Sequence, residues 1–369
     1  MIRPLEHISR IQPYVPGKPI RELERELGLQ GSIKLASNEN PLGSSPKAMK
    51  ALQDFLANAR ELHLYPEGSG YYLKNALCTK LSTAAGELSP EQIILGNGSN
   101  EILDMAVRTY MAAGDEAVMA APSFVVYAMA VQSVAGVAHI IPLVDYTHDL
   151  AAMADRVTAK TKMVFVANPN NPTGTMNRAG EFAAFMERIP QGVLVVVDEA
   201  YFEYVTDPDY PDSMRYFREG RDILILRTFS KAYGLAGLRI GYGIAREEIV
   251  SAINRIREPF NTNTLAQLAA LHALDDDDHV KRTVEVNGEG KRYLYKELSS
   301  MGINYVPTEA NFIYIPLAQE SKALYEALLR QGVIVRPVGP REIRVTIGLP
   351  EENRRFIDSF KSVLQAPGA

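Results

Sequence analysis

Four short segments of this 369-residue chain place chemically able side chains directly after apolar runs. Lys162–Ala167 is followed by Asn168-Pro-Asn-Asn-Pro-Thr-Gly174, and Val193–Val197 by Asp198-Glu-Ala-Tyr201. Ile223–Leu226 leads into Arg227-Thr-Phe-Ser-Lys231, with Arg239 eight residues on, and Gln92–Leu95 into Gly96-Asn-Gly-Ser-Asn100. A glycine-rich turn that opens a helix offers backbone N–H groups and a positive dipole end to a phosphate. Gly98, Ser99 and Asn100 have that placement. Arg239 would add a fork of donors for the same anion, and Thr228 or Ser230 a hydroxyl. A carboxylate at the end of a buried strand is costly unless it meets a cation; Asp198 would meet one in a protonated heterocycle. Asn171 and Tyr201 could hydrogen-bond an oxygen on that ring. Lys231, in a pocket already holding a second cation, would have a lowered pKa, and a neutral amine forms imines where an ammonium does not.

Each signal alone has a plainer reading. Asn-Pro-Thr-Gly is a turn sequence, an Asp after an apolar run is commonly a helix cap, and a lone loop lysine is usually solvated. The Gly96–Asn100 turn suggests a dinucleotide site, but it lies far into the chain, lacks a third glycine and has no acidic residue after the next strand. The weight comes from the combination, because open parallel sheets bind ligands beyond the carboxyl ends of their strands.

The elements that must hold these residues follow from the same runs. Lys162–Ala167, Val193–Val197 and Ile223–Leu226 are aliphatic or β-branched and of strand length, as are Gln92–Leu95 and Glu116–Ala120. Helical spacing fills the gaps: from Asn100, after Pro122, and over Arg178–Ile189. This rhythm predicts an α/β large domain, a mostly parallel sheet flanked by helices on both faces. The Pro-, Gly- and Asn-rich residues 1–45 read as an arm with a short helix near Arg21–Leu27. Residues 46–264 read as the large domain, and residues 265–369 as a smaller α+β domain with strands at Asn311–Ile315 and Ile343–Ile347. The Asp275–Asp278 run reads as a solvated helix end.

Bulk properties narrow the function classes. With 39 basic against 44 acidic residues the net charge is −5, so no basic surface points to nucleic acid. No apolar run approaches the roughly 20 residues of a membrane helix. The single cysteine, Cys78, rules out an intrachain disulfide and fits a reducing, cytoplasmic setting. The six histidines make no metal spacing, so no metal site is expected.

Asn170–Gly174, Val197–Tyr201, Thr228–Lys231 and Gly237–Gly241 together resemble the fold-type-I pyridoxal-phosphate-dependent aminotransferases. The resemblance runs nearly end to end and includes Leu35–Gly43, Tyr65-Pro66 and Arg344–Asn353. Within that superfamily, Pro13–Pro19 and Asn38–Pro41 are most similar to the histidinol-phosphate branch. The resemblance implies pyridoxal 5′-phosphate as cofactor, Lys231 as its Schiff-base lysine, and Asp198 as the partner of its pyridinium nitrogen. It implies Asn171 and Tyr201 at the ring oxygen, Phe124 stacked on the ring, and a phosphate cup of Gly98, Ser99, Asn100, Thr228 and Arg239, with Ser230 a weaker member. Tyr65 resembles the tyrosine that reaches the phosphate from a second subunit, which implies a homodimer with shared sites. Tyr14, Asn38, Arg336 and Arg344 resemble substrate-side residues, the two arginines binding anions. The implied activity is amino transfer between histidinol phosphate and 2-oxoglutarate in histidine biosynthesis. An aromatic amino acid aminotransferase, a phosphothreonine-type decarboxylase and a regulatory binding module remain alternatives. Between Arg336 and Arg344 the chain is shorter than in many relatives and carries an extra Arg341, which bears on substrate preference rather than catalysis.

Overall fold

The computed structural model describes residues 2–58, 61–82 and 86–365. A short strand, Ile33–Lys34 (β1), precedes the main sheet. That sheet is built from Ile93–Gly96 (β2), Glu116–Ala121 (β3), Val137–Pro142 (β4), Thr161–Ala167 (β5), Leu194–Asp198 (β6), Ile223–Thr228 (β7) and Gly241–Ile244 (β8). Its strand order is β2-β8-β7-β6-β5-β3-β4. Every neighbouring pair is parallel except those made by β8, which runs antiparallel to both β2 and β7. Because β8 is the only reversed strand among these seven, β2 still points the same way as β7, and the expected strand ends meet at one edge.

Alternation along the strands puts Val164, Val166, Val195 and Val197 into one core layer and Met163, Phe165, Leu194 and Val196 into the other. Both faces are covered, so these strands read as unbroken apolar runs rather than alternating ones. Each fully buried aliphatic side chain contributes roughly 1.5–3 kcal/mol, which makes β5, β6 and β7 a stiff floor for the residues at their ends.

The C-terminal part adds Phe312–Pro316 (β9), Val333–Ile334 (β10), Arg336–Gly339 (β11) and Glu342–Thr346 (β12). β11, β12 and β9 form an antiparallel sheet, covered by the helices Asp277–Ser300, Ser321–Arg330 and Pro350–Gln365. β1 pairs in parallel with β10, and Leu35 sits in this core. The N-terminal arm is therefore stitched into the smaller unit.

Two expectations need correction. The helix Thr264–Leu274, expected to open the smaller domain, packs its alanines into the core of the main sheet, so by packing the larger unit extends to Leu274. Asp276, expected to be solvated, is buried and accepts hydrogen bonds from Ser45 Oγ (2.6 Å) and Lys47 N (3.1 Å) at the start of the helix Pro46–Ala57. Among the described residues no helix is long and apolar enough to cross a membrane.

Candidate active site

The ends of β2, β5, β6 and β7 open into one cavity of about 360 Å³, closed from the far side by residues 37–39 and Arg344 of β12. Gly98, Ser99, Asn100, Phe124, Asn171, Asp198, Tyr201, Thr228, Ser230, Lys231, Arg239, Tyr14, Asn38 and Arg344 all line it. Tyr65 and Arg336 do not. Tyr65 is 80% exposed and stacked on Phe260, ring centres 4.6 Å apart. Arg336 lies behind Tyr14, its guanidinium 5.4 Å from that ring and its Nη2 donating to Val15 O (2.6 Å).

One end of the cavity is cationic. Gly98 adopts φ 82°, and the helix Ser99–Tyr110 starts directly after it. A Cβ at Gly98 would fall 2.5 Å from Arg239 Nη2, so the guanidinium stands over the turn where only glycine leaves room. Gly241 is needed for a similar reason: a Cβ there would lie 2.6 Å from Ser99 N. Thr228 Oγ1 accepts from Ser230 N (3.1 Å) beside this turn. The set matches a phosphate monoester.

The other end holds a carboxylate that makes no ion pair among the described residues. Asp198 accepts from Tyr127 Oη (2.7 Å) and Ala200 N (3.2 Å), and burial pushes its carboxyl above the usual range. A protonated ring nitrogen would reverse that shift by supplying the missing charge. Lys231 Nζ donates to Ser37 O (3.1 Å) and has no carboxylate partner among the described residues; burial, then the charge of Arg344 and that of Arg239, bring it down to about 8 against the pull of Glu39 and Asp198. Tyr201 is pushed up to about 12 by burial, so its phenol keeps its hydrogen throughout the working range. Asn171 Oδ1 accepts from Arg344 Nη1 (2.5 Å), and Arg344 Nη2 donates to Ala36 O (2.6 Å). Arg344 Nε is buried without a partner among the described residues and remains available to an anion. A phosphate cradle, an amine held near neutrality and a carboxylate awaiting a cation fit a phosphorylated pyridine aldehyde.

Three cavity residues with polar side chains were not singled out from the sequence. Tyr127 lies one helical turn after Phe124, its ring edge-on at 5.7 Å, and that spacing signals core packing only. Ser37 contributes a backbone carbonyl, which has no sequence signature. Glu39 faces the cavity while paired to Lys34 (2.7 Å). Behind the floor lies a buried ion pair, Glu199 Oε2 to Arg227 Nε at 2.8 Å, with the guanidinium 3.9 Å from the Phe202 ring centre. It ties the end of β6 to the end of β7.

This fold and cavity define a pyridoxal-phosphate transaminase architecture, and residues 30–360 match the family model for aminotransferase class I and II. The chain belongs to that family. It is 51% identical over 97% of its length to the histidinol-phosphate aminotransferase of Moorella thermoacetica, covering 92% of that protein. It is 46% identical to histidinol-phosphate aminotransferase 2 of Hydrogenovibrio crunogenus, covering 98% of this chain and 96% of the other. Among solved structures, histidinol-phosphate aminotransferase from Sinorhizobium meliloti, in complex with pyridoxal 5′-phosphate, superposes with a TM-score of 0.88 at 26% identity, over 98% of this chain and 99% of that one.

Proposed function

We propose that this chain transfers the amino group of histidinol phosphate to 2-oxoglutarate with pyridoxal 5′-phosphate as cofactor, as a step of histidine biosynthesis. The observation that carries the reading is the cavity in which Lys231, held near neutrality, shares the space with the uncompensated Asp198 and a glycine-and-arginine cradle. The names of the two relatives at 51% and 46% identity support the substrate pair.

In this reading Gly98, Ser99, Asn100, Thr228, Ser230 and Arg239 hold the cofactor phosphate, Phe124 lies against the ring, and Asn171 and Tyr201 face its ring oxygen. When bound, pyridoxal phosphate supplies an aldehyde for the exchanging amine and an electron sink for the carbon that loses its proton. Asp198, kept in place by Tyr127 Oη, holds a proton on the ring nitrogen. Lys231 Nζ, neutral above about pH 8, would take a proton from the substrate carbon and deliver it to the former aldehyde carbon within the same half-reaction, and would run the two transfers in reverse with the keto acid. A bound anion or a more polar occupant shifts that threshold through Arg344 and Arg239. Arg344 binds the substrate anion through Nε and its unused terminal hydrogens, with Arg336 and Tyr14 behind it. Arginine suits the phosphate ester of one half-reaction and the carboxylate of the other.

The working unit in this reading is a homodimer. Tyr65 is exposed, as are Leu62, Leu64, Tyr71 and Tyr72 close to it in sequence, and a second copy covering this segment would receive Tyr65 at its phosphate end. The single, buried Cys78 supports a cytoplasmic setting. A substrate panel read by the cofactor's spectral change tests the assignment. Histidinol phosphate should exceed phenylalanine and tyrosine in kcat/KM by more than about 100-fold, the most that an apolar pocket without a dedicated polar contact achieves. Equal values would make it an aromatic aminotransferase, and carbon dioxide release without a keto acid would make it a decarboxylase.

A further inference from the structure

Asn38 resembles a substrate-side residue in sequence, but its side chain is engaged elsewhere. It is 1% exposed and sits at φ 56°, a region asparagine tolerates better than most residues. Its backbone N–H donates to Thr346 Oγ1 (2.9 Å), and the Thr346 hydroxyl donates back to Asn38 Oδ1 (3.1 Å). Asn311 Nδ2 donates to Asn38 O (3.1 Å). The Thr346 hydroxyl has one hydrogen to give, and among the described residues its only acceptor is the Asn38 amide, so the amide oxygen faces Thr346. The amide nitrogen therefore faces Tyr201 and donates to its Oη at 2.8 Å. A phenol owns a single hydrogen. Since the Asn38 amide can only donate at this contact, the Tyr201 hydrogen points away from it, and Asn38 is the sole hydrogen-bond partner of Tyr201 Oη among the described residues.

We propose that Asn38 is a positioning residue: by donating to Tyr201 Oη it reserves the one Tyr201 hydrogen for the ring oxygen of the cofactor. The proposal rests on the reading that Tyr201 faces that oxygen. It also makes the hydrogen's direction depend on the smaller unit, because Thr346 of β12 orients the amide that orients the phenol. A donor on the ring oxyanion weakens that oxygen's hold on the proton of the neighbouring lysine nitrogen, so losing the donor raises the pH midpoint of the bound cofactor's visible absorption change.

Asn38→Asp tests this. The side chains are nearly isosteric and both tolerate positive φ, but a carboxylate can only accept, so Tyr201 must turn its hydrogen toward residue 38. The midpoint should rise by at least half a pH unit, in the same direction as for Tyr201→Phe. The new negative charge alone would also raise it, so the deciding measurement is the double variant. If hydrogen direction is the cause, Asn38→Asp raises the midpoint by clearly less once Tyr201→Phe has removed the hydrogen, leaving only the contribution of the charge. A full additional rise in that background overturns the proposal in favour of simple charge. Asn38→Gly keeps the backbone angle and brings no charge; it should raise the midpoint less than Asn38→Asp, again only when Tyr201 is present. A midpoint that moves for Tyr201→Phe but for neither Asn38 variant overturns the Asn38 assignment alone. One that stays put for Tyr201→Phe removes the Tyr201 role and this proposal with it.

Discussion

Replacing Lys231 by methionine should stabilise the apoprotein at neutral pH and not at alkaline pH. Burial and the charges of Arg344 and Arg239 hold the lysine at about 8, against 10.5 for a free side chain. Each pKa unit corresponds to 1.36 kcal/mol, so a drop of this size means the charged lysine destabilises the fold by about 3 kcal/mol wherever it must be protonated. The sign follows from linkage: the unfolded chain binds the proton more tightly, so the penalty is complete below pH 8 and fades as pH rises toward 10.5. Methionine has similar length and no charge. It forfeits the hydrogen bond to Ser37 O, worth about 1 kcal/mol. The net gain is then about 2 kcal/mol at pH 7 and near zero at pH 10. Urea midpoints of both apoproteins, at matched concentration and monitored by circular dichroism at the two pH values, measure the difference. A variant less stable than the parent at pH 7, or a gap that does not change with pH, would refute the claim that this lysine is held against its charge.

Asp198→Asn removes the charge that would keep the ring nitrogen protonated; an electrostatic partner of this kind is worth about 10²–10³ in rate, so single-turnover spectral rates should fall by about that factor, and a near-normal rate removes the role. Gly98→Ala puts a Cβ 2.5 Å from Arg239 Nη2 at φ 82°, so fluorescence titration of the apoprotein should show cofactor Kd rising at least about tenfold, equivalent to 1.4 kcal/mol. Glu199→Gln leaves the Arg227 charge buried without its 2.8 Å partner. Breaking such a pair costs about 3–5 kcal/mol, and the low end is expected because the nearby Glu203 can take up part of the charge. A change in urea midpoint worth under 1 kcal/mol would show the pair to be dispensable.

The strand ends were readable because each site residue follows an apolar run, and a doubly covered parallel strand has no polar face to break that run. β8 was not readable for the opposite reason. Gly241-Tyr-Gly-Ile lacks the aliphatic signature since Gly241 must let Ser99 N approach and Gly243 must clear Ile94 and Leu224. β4 lies at the sheet edge with half its side chains exposed, and its run is interrupted by His139. The helix Thr264–Leu274 is apolar on most sides, so nothing in its pattern said which unit it would join. Tyr127 was not singled out because nothing in its spacing from Phe124 distinguishes it from core; only the fold brings its hydroxyl to Asp198. Asn38 was assigned to the substrate because its partners, Tyr201 and Thr346, lie 163 and 308 residues away, beyond any local spacing. Tyr65 and Arg336 were named by resemblance alone, and a single chain does not bring either into the cavity wall.

Borohydride reduction of the cofactor-loaded protein, followed by tryptic mapping, reports on Lys231 most directly. Reduction fixes whichever amine is bonded to the cofactor. The label is expected on Lys231 Nζ, within the single peptide Thr228–Arg239, because trypsin no longer cleaves at a modified lysine. A label on any other lysine, or a reduced protein that carries none, would contradict the assignment of this residue as the amine at the centre of the site.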